Sequence, residues 1–239
     1  MSSSRDAGKS AREMVLGRVR RALEEGRTAG RVPASPADTR GIVAPATPPI
    51  EESIVRQVET APPELLWPRF VARLEALGDR AIRVQSREEA RAALAKAIEQ
   101  QNLKHGVIDA DARAWFGIAE GTKLGPAMLD TAGERTLAFE VDFGITLCDL
   151  AVAEMGTLVL GAREDRARLT SLAPPTHFAV VPFSRLVADV LDATAQTPLP
   201  SVRSAVWITG SSRTADIEGN IVRGVHGPRQ ILVVGVADA

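Results

Sequence analysis

The densest group of side chains that could do chemistry lies near the C-terminus, in residues 209–228. The apolar run 206–209 predicts a buried strand, the Gly/Ser-rich stretch 210–214 predicts a turn, and 215–218 is typical of a first helical turn. A strand, a polar turn and a helix start make a natural anion site. Free backbone N–H groups and the positive end of the helix dipole meet there.

Arg213 can hold a carboxylate or phosphate through two parallel hydrogen bonds, and its neighbours supply hydroxyls and carboxylates. The predicted ligand-binding residues are Thr157, Ser211, Ser212, Arg213, Thr214, Asp216 and Glu218. The alternative is structural, with Ser212 or Thr214 capping a helix and Arg213 pairing with a nearby acid.

His226 is the histidine best placed for proton transfer or ligand binding. Gly224, Gly227 and Pro228 bracket it in a constrained turn before the last predicted strand. The alternative is a turn that only reverses the chain.

Glu154 is the second catalytic candidate, because apolar residues surround it and a buried carboxylate is costly without partners. An apolar setting would raise its pKa and suit it to act as a general base or nucleophile. Gly156 allows a close backbone approach and Thr157 adds a hydroxyl. The alternative is that Glu154 caps a turn at a strand end. A lone histidine at a strand start, such as His177, is more often a structural hydrogen-bonding group.

Composition excludes several classes of protein. The net charge of −1 argues against binding of nucleic acid by bulk electrostatics, but it allows a small anionic ligand. Cys148 is the only cysteine, which excludes an internal disulfide, a cysteine-held iron–sulfur cluster and a Cys-rich zinc site. The three histidines show no metal-ligand spacing, so neither a metal nor another cofactor is expected. The polar first ten residues and the absence of a long apolar stretch predict a cytoplasmic protein with no membrane span.

The N-terminal segment, residues 1–30, is predicted to hold one amphipathic helix over 10–25, because Ser10 and Glu13 form a capping box ahead of helically spaced apolar residues. Eight of the fifteen prolines fall between Pro33 and Pro68, so residues 31–62 are interpreted as a proline-rich linker or arm. A compact α/β domain is expected over 63–239.

That domain is predicted to be an open mixed sheet with helices on both faces, because helical and strand-like segments alternate along it. Helices are predicted over about 64–77 and 86–101, the second opened by a capping box at Ser86. The predicted strands are 81–84, 106–109, 136–142, 145–148, 158–161, 178–181, 206–209 and 231–236.

Three segments carry a family resemblance. The strings TGSSRTADIEGNIVRGVHGP, AVAEMGTLVL and SLAPPTHFAVVP resemble the LUD-domain family, and within it the group of lactate-utilisation C proteins. The resemblance implies the NagB/RpiA/CoA transferase-like fold. It also implies a role in oxidising L-lactate to pyruvate in a three-part system, where A and B proteins carry iron–sulfur clusters and the C component has none. The single Cys148 agrees with that division.

The leading hypothesis is therefore a subunit of an L-lactate oxidation system that partners the A and B iron–sulfur proteins. Its small-anion pocket would be formed by Glu154, Thr157, Arg213, Thr214, Asp216 and His226. Arg213 would hold the carboxylate, and Glu154 or His226 would act as acid or base. One alternative is an independent enzyme acting on a CoA ester or a sugar phosphate, with Glu154 as nucleophile. The other is a non-catalytic assembly module that uses helix 10–25, with a homo-oligomer possible in any case.

Overall fold

The chain divides into two compact units, Met1–Arg56 and Gln57–Ala239. The computed structural model describes residues 61–131, 137–163, 166–196, 202–215 and 221–237, together with residues 17, 20–22, 24, 25 and 28. These N-terminal positions are helical and exposed, in and just beyond the predicted helix 10–25. The capping box at Ser10 and most of the predicted linker, up to residue 60, lie outside the described residues.

The described residues of the larger unit form a seven-stranded main sheet, a four-stranded second sheet and a two-stranded hairpin. The helices are α1 (Pro63–Ala76), α2 (Arg87–Gln100), α3 (Ala110–Phe116), α4 (Leu169–Leu172) and α5 (Val190–Gln196). The strands of the main sheet are β1 (Arg80–Val84), β2 (His105–Ile108), β3 (Lys123–Leu124), β4 (Ala127–Thr131), β5 (Phe143–Leu147), β8 (Thr176–Pro182) and β13 (Gln230–Val236). Those of the second sheet are β6 (Leu150–Val152), β7 (Thr157–Ala162), β9 (Leu186–Val187) and β10 (Ser204–Thr209), and those of the hairpin are β11 (Arg213–Ala215) and β12 (Ile221–Arg223).

The main sheet has the order β1-β13-β8-β5-β2-β4-β3, and its neighbours pair in parallel except β3 with β4. Alternate residues of its central strands enter different cores because successive side chains point to opposite faces. Val233 packs with α1 and the second sheet, whereas Val234 packs with α2 and α3. The predicted mixed sheet with helices on both faces is confirmed. The second sheet, which covers one face beside α1, was not predicted.

The predicted start of α2 is also found. The Ser86 hydroxyl accepts a hydrogen bond from the Glu89 N–H at 3.2 Å, which satisfies one of the donors left open at a helix N-terminus. This cap follows β1 directly and fixes where the first crossover helix begins.

The predicted strand over 136–142 is wrong for its described part, since Leu137–Phe139 forms a 3-10 turn. The Asp142 carboxylate accepts hydrogen bonds from the N–H groups of Lys104 and His105 at 2.7 and 3.0 Å, which anchors the chain at the start of β2. Extended pairing begins only at Phe143. Apolar residues alternate through this turn as they would in a strand, so the sequence pattern predicted a strand there.

The predicted helix start at 215–218 is also contradicted where the structure describes it. Arg213–Ala215 is a strand that pairs antiparallel with β12. Thr214 carries a β-branched side chain, which favours extended backbone over a first helical turn.

No helix in the described part of the chain is both long and apolar enough to cross a lipid bilayer.

Candidate functional site

The turn that follows β10 is fixed by a buried carboxylate distant in sequence. Asp79 Oδ2 accepts a hydrogen bond from the Ser211 N–H at 2.7 Å, and its Oδ1 accepts one from the Ile231 N–H at 2.9 Å. Gly210 makes the turn with φ 77°, a left-handed conformation that favours glycine. The 210–212 turn is therefore tied to the starts of β1 and β13. The Ser211 hydroxyl is itself buried, with no hydrogen-bond partner among the described residues.

Ser212 joins this turn to the loop that holds His226. Its N–H donates to the Pro228 carbonyl and its own carbonyl accepts from the Gly224 N–H, both at 2.9 Å. Gly227 lies so close that an added Cβ would stand 3.2 Å from the Ser212 Cβ. The two segments singled out in the sequence are thus parts of one surface.

Arg213 and Thr214 lie on the hairpin beyond that turn. Arg213 stands opposite Arg223 and Thr214 opposite Val222 in the antiparallel pair. Both arginines are exposed. Because 213–215 is a strand, the described residues contain no helix start beside Arg213, and they give an anion site there no support from a helix dipole. Asp216 and Glu218 lie outside the described residues.

His226 is exposed beside a cavity of about 390 Å³. The cavity walls include Phe139, Leu172, Pro175, Val225, His226 and Arg229. Imidazole and guanidinium therefore share one opening with aliphatic and aromatic side chains. This mixture suits a small organic anion, which needs a cation for its charge and apolar contacts for its carbon atoms. Arg213 and Glu154 are not among the described residues that line it.

Glu154 lies half-buried in the turn between β6 and β7, where its N–H donates to the Ala188 carbonyl at 3.0 Å. Gly156 in the same turn has φ 66°, and a Cβ there would approach the Leu74 nitrogen to 2.9 Å. The sequence allowed a close backbone approach at Gly156, and the backbone of α1 does approach it closely. The turn is a packed structural element with a carboxylate at its rim.

Thr157 connects this turn to the C-terminal segment. Its hydroxyl lies 2.7 Å from the hydroxyl of Thr209, across the β7–β10 pair. Thr157 is buried, and this contact supplies its hydroxyl with a partner. Its position indicates a role in packing the second sheet beneath the 210–212 turn.

His177 is completely buried in β8, with Nε2 at 2.8 Å from the Thr146 hydroxyl. Burial lowers the pKa of His177 to about 3, so the imidazole is neutral near pH 7. Its environment fits the structural alternative given for it in the sequence.

A cluster of charged residues that sequence reasoning missed lies at the carboxyl ends of β2 and β5. The buried Arg166 donates from Nε to Asp109 at 3.1 Å and from Nη1 to Asp149 at 2.7 Å. Arg163 joins Asp149 to Asp111 with contacts of 3.0 and 2.9 Å. The chain leaves β2 toward β4 but leaves β5 toward β8, in opposite directions along the sheet. The cluster therefore stands at a topological switch point, where open α/β sheets commonly bind ligands.

The protonation of this cluster is set mainly by burial and by Arg166. Burial raises the pKa of Asp109 to about 6, against the opposing effect of Arg166. Burial alone would also raise the pKa of Asp149, but Arg166, the Gly161 N–H and Arg163 outweigh it and hold that pKa below its ordinary value. Arg166 fills the crevice, since the space left beside it measures only about 10 Å³. The cluster acts as an internal brace between the two sheets.

One signal in the sequence could have revealed this cluster. Asp109 and Asp149 each follow an apolar run that predicts a strand, and the carboxyl ends of parallel strands share one edge. Their partner Arg166 comes from the segment after β7, which the sequence does not connect to that edge.

The fold class is supported by a solved structure. A DUF162 family protein from Deinococcus radiodurans superposes with a TM-score of 0.55, covering 73% of this chain and 98% of that one, at 24% sequence identity. At this identity the likeness shows the fold alone. The expected likeness to the NagB/RpiA/CoA transferase-like fold stays a prediction.

The chain belongs to the LUD domain family, since residues 67–236 match the family model for the LUD domain. This range includes the 210–212 turn, the His226 loop and the charged cluster.

Similar proteins are found among bacterial relatives. A lactate utilization protein C of an Exiguobacterium species is 40% identical over 110 residues, which cover 44% of this chain and 48% of that protein. The lactate utilization protein C of Bacillus subtilis is 36% identical over 127 residues, covering 50% of this chain and 53% of the relative. The matched region thus spans about half the length of each relative.

Proposed function

We propose that this chain is the component without an iron–sulfur cluster in a three-part L-lactate utilisation system, which oxidises L-lactate to pyruvate with A and B iron–sulfur proteins. The observation that carries the proposal is the similarity to lactate utilization protein C of Exiguobacterium and B. subtilis within a shared LUD domain. Two electrons leave lactate in that oxidation, and the iron–sulfur partners would receive them. The present chain would bind the small acid.

The cavity beside His226 is the proposed binding place. Arg229 would hold the carboxylate through its two-pronged guanidinium, since it lines the same cavity as His226. His226 would accept a hydrogen bond or a proton from the 2-hydroxyl group. Leu172 and Val225 would contact the methyl group. The sequence predicted that Arg213 would hold the carboxylate, and the proposal gives this role to Arg229 instead. His226 keeps the acid or base role expected from the sequence.

Calorimetric titration of the purified chain with L-lactate and pyruvate tests the binding step. We expect Arg229→Gln to weaken binding at least tenfold, because a charge-assisted pair is lost. The matched control is Arg213→Gln, another exposed arginine near the same turn, and it should change the affinity less than threefold. If R213Q lost binding while R229Q bound normally, the carboxylate contact would have to be assigned to Arg213.

Growth on L-lactate tests the physiological role. In a strain that lacks other lactate dehydrogenases, deletion of the gene should abolish growth on L-lactate, and the wild-type gene should restore it. H226Q keeps a polar side chain of similar size but removes the imidazole, so it should restore growth poorly. Normal growth of the deletion strain, with no binding of either acid by the pure protein, would reject the proposal.

A further inference from the structure

A large cavity lies at the amino ends of β1 and β13. It measures about 830 Å³ and opens between α2 and the segment that follows β12. Its size falls in the upper part of the range usual for small-molecule and cofactor sites, and it is far larger than lactate requires.

Four cations line this cavity: Arg80, Lys96, Arg223 and Arg229. Within the described residues, none of the four has a carboxylate within 4.0 Å. Among the described residues only two acids share the lining, Glu75 and Asp79, so four positive and two negative groups leave an excess of two positive charges. The whole chain has a net charge of −1, so this excess is a local feature. It favours an anionic occupant.

One of those two acids is already engaged. Both oxygens of Asp79 accept backbone hydrogen bonds, from the N–H groups of Ser211 and Ile231. Its capacity to bind the neighbouring cations is reduced accordingly. Asp79 therefore leaves most of the positive charge of this lining unneutralised.

Two glycines make room for two of the arginines. A Cβ at Gly78 would stand 2.3 Å from an Nη of Arg223, and a Cβ at Gly224 would stand 2.0 Å from the Cγ of Arg229. Arg223 is further held by the carbonyls of Gly78 and Leu77, at 3.2 and 3.4 Å. The guanidinium of Arg223 is thus held by the backbone and partly preorganised, and the stem of Arg229 packs on Gly224, which lowers the entropy lost on binding.

The remaining wall is apolar or uncharged. Ala81, Ile82, Ala97 and Leu232 provide aliphatic surface. The Gln230 amide nitrogen donates to Gln101 and, at 2.9 Å, to the Thr176 hydroxyl, so the amides at the cavity floor are fixed. Among the described strands β1 is at the edge of the main sheet, so one side of its backbone has no strand partner there and can pair with the polar edge of a ring.

We propose that this cavity binds a nucleotide-sized molecule with two adjacent phosphate groups. Arg80, Lys96, Arg223 and Arg229 would hold the phosphates, and the nucleoside would lie on the aliphatic surface against β1. Cations with fork geometry match phosphate oxygens, and several of them together select a diphosphate over a single carboxylate. The site lies at the amino ends of the strands, distinct from the switch point at their carboxyl ends.

The experiment is a calorimetric titration of the full chain with ADP, inorganic pyrophosphate, AMP and adenosine. The test variants are Lys96→Gln and Arg80→Gln, both at exposed positions. Arg91→Gln is the matched control, because Arg91 is also exposed on α2 but does not line the cavity. The test avoids Arg229, so its result is independent of the lactate site, and L-lactate binding should be unchanged in K96Q.

We expect ADP to bind, K96Q and R80Q each to weaken it at least tenfold, and R91Q to change it less than twofold. Tighter binding of ADP than of pyrophosphate supports a nucleotide, and equal binding supports the diphosphate group alone as the recognised part. No binding of ADP or pyrophosphate overturns the proposal. It is also overturned if adenosine binds as tightly as ADP, or if all three variants bind alike.

Discussion

Asp79 and Ser211, 132 residues apart in sequence, are joined by a 2.7 Å hydrogen bond between a buried carboxylate and a backbone N–H. The other oxygen of Asp79 binds the Ile231 N–H, so one side chain fixes the start of β1, the start of β13 and the turn that leads to the His226 loop.

Asp79→Asn should therefore destabilise the fold. The amide replaces one acceptor with a donor that faces a backbone N–H, and a buried N–H without a partner costs about 1–3 kcal/mol. Urea unfolding at pH 7 measures the change. Glu75→Gln, an exposed carboxylate on α1, is the control and should stay within about 0.5 kcal/mol of wild type. Equal stability of D79N and wild type would show that the 210–212 turn does not depend on this carboxylate.

Gly156→Ala should lower the free energy of unfolding by more than the left-handed backbone conformation alone explains. A left-handed φ alone costs a non-glycine residue about 1–2 kcal/mol, and at Gly156 a Cβ would in addition collide with α1, 2.9 Å from the Leu74 nitrogen. Gly121→Ala isolates the first effect, because Gly121 has φ 68°, against 66° at Gly156, and nothing lies within 4 Å of its added Cβ. Urea unfolding of both variants should give a larger loss for G156A. Equal losses would mean that α1 moves aside freely.

The buried His177 should make the protein less stable as the pH falls. Its folded pKa is lowered to about 3, whereas an unfolded histidine titrates near 6.5. Below pH 6.5 the unfolded chain binds a proton that the folded chain does not, so stability is lost from about pH 6.5 down to about pH 3. Between pH 7 and pH 5 this histidine alone should remove about 2 kcal/mol.

Comparison with His177→Gln isolates that effect. The raised pKa of Asp109 acts in the opposite direction, adding stability as the pH falls through about 6, but it is present in both proteins and cancels. On going from pH 7 to pH 5, the change in unfolding free energy should therefore be more positive in H177Q than in wild type, by about 2 kcal/mol. The same pH dependence in both proteins would contradict the assignment of a neutral buried imidazole.

Arg166→Met should cause the largest loss of stability among these variants. It leaves Asp109 and Asp149 without their shared cation, and removal of one partner from a buried ion pair typically costs about 3–5 kcal/mol. Arg163→Met is the matched control, because Arg163 contacts Asp111 and Asp149 but its side chain is 30% exposed. Denaturant unfolding should show a loss of about 1 kcal/mol or less in R163M. Similar losses in both variants would mean that solvent reaches the cluster.

Local patterns in the sequence were enough to predict the central strands and the α2 cap. The run 231–236 is apolar at successive positions because β13 is covered on both faces, and the Ser86 cap depends on a residue only three positions away. Interactions distant in sequence were not predictable in this way. Asp142 ends the apparent strand at 136–142 by binding the chain at 104–105, and no local pattern contains that contact.

The candidate site was predictable to a similar degree. The sequence indicated that the 210–214 turn and the His226 loop belong together, and Ser212 does join them. It favoured Arg213 as the anion contact because a helix start was predicted just after it, whereas Arg213–Ala215 is a strand. Arg229 lines the His226 cavity and lies only three residues after His226, but it was not among the predicted ligand-binding residues.

Arg229 lines both the cavity of about 390 Å³ beside His226 and the cavity of about 830 Å³ beside β1. If the guanidinium of Arg229 turns toward an anion in one cavity, it interacts less strongly with an anion in the other. If both cavities are occupied as proposed, each ligand must change the affinity of the other by the same factor, since binding linkage is reciprocal. The segment 221–229 would then be more than a support for His226. It would let the level of a phosphorylated metabolite set the affinity for a small acid.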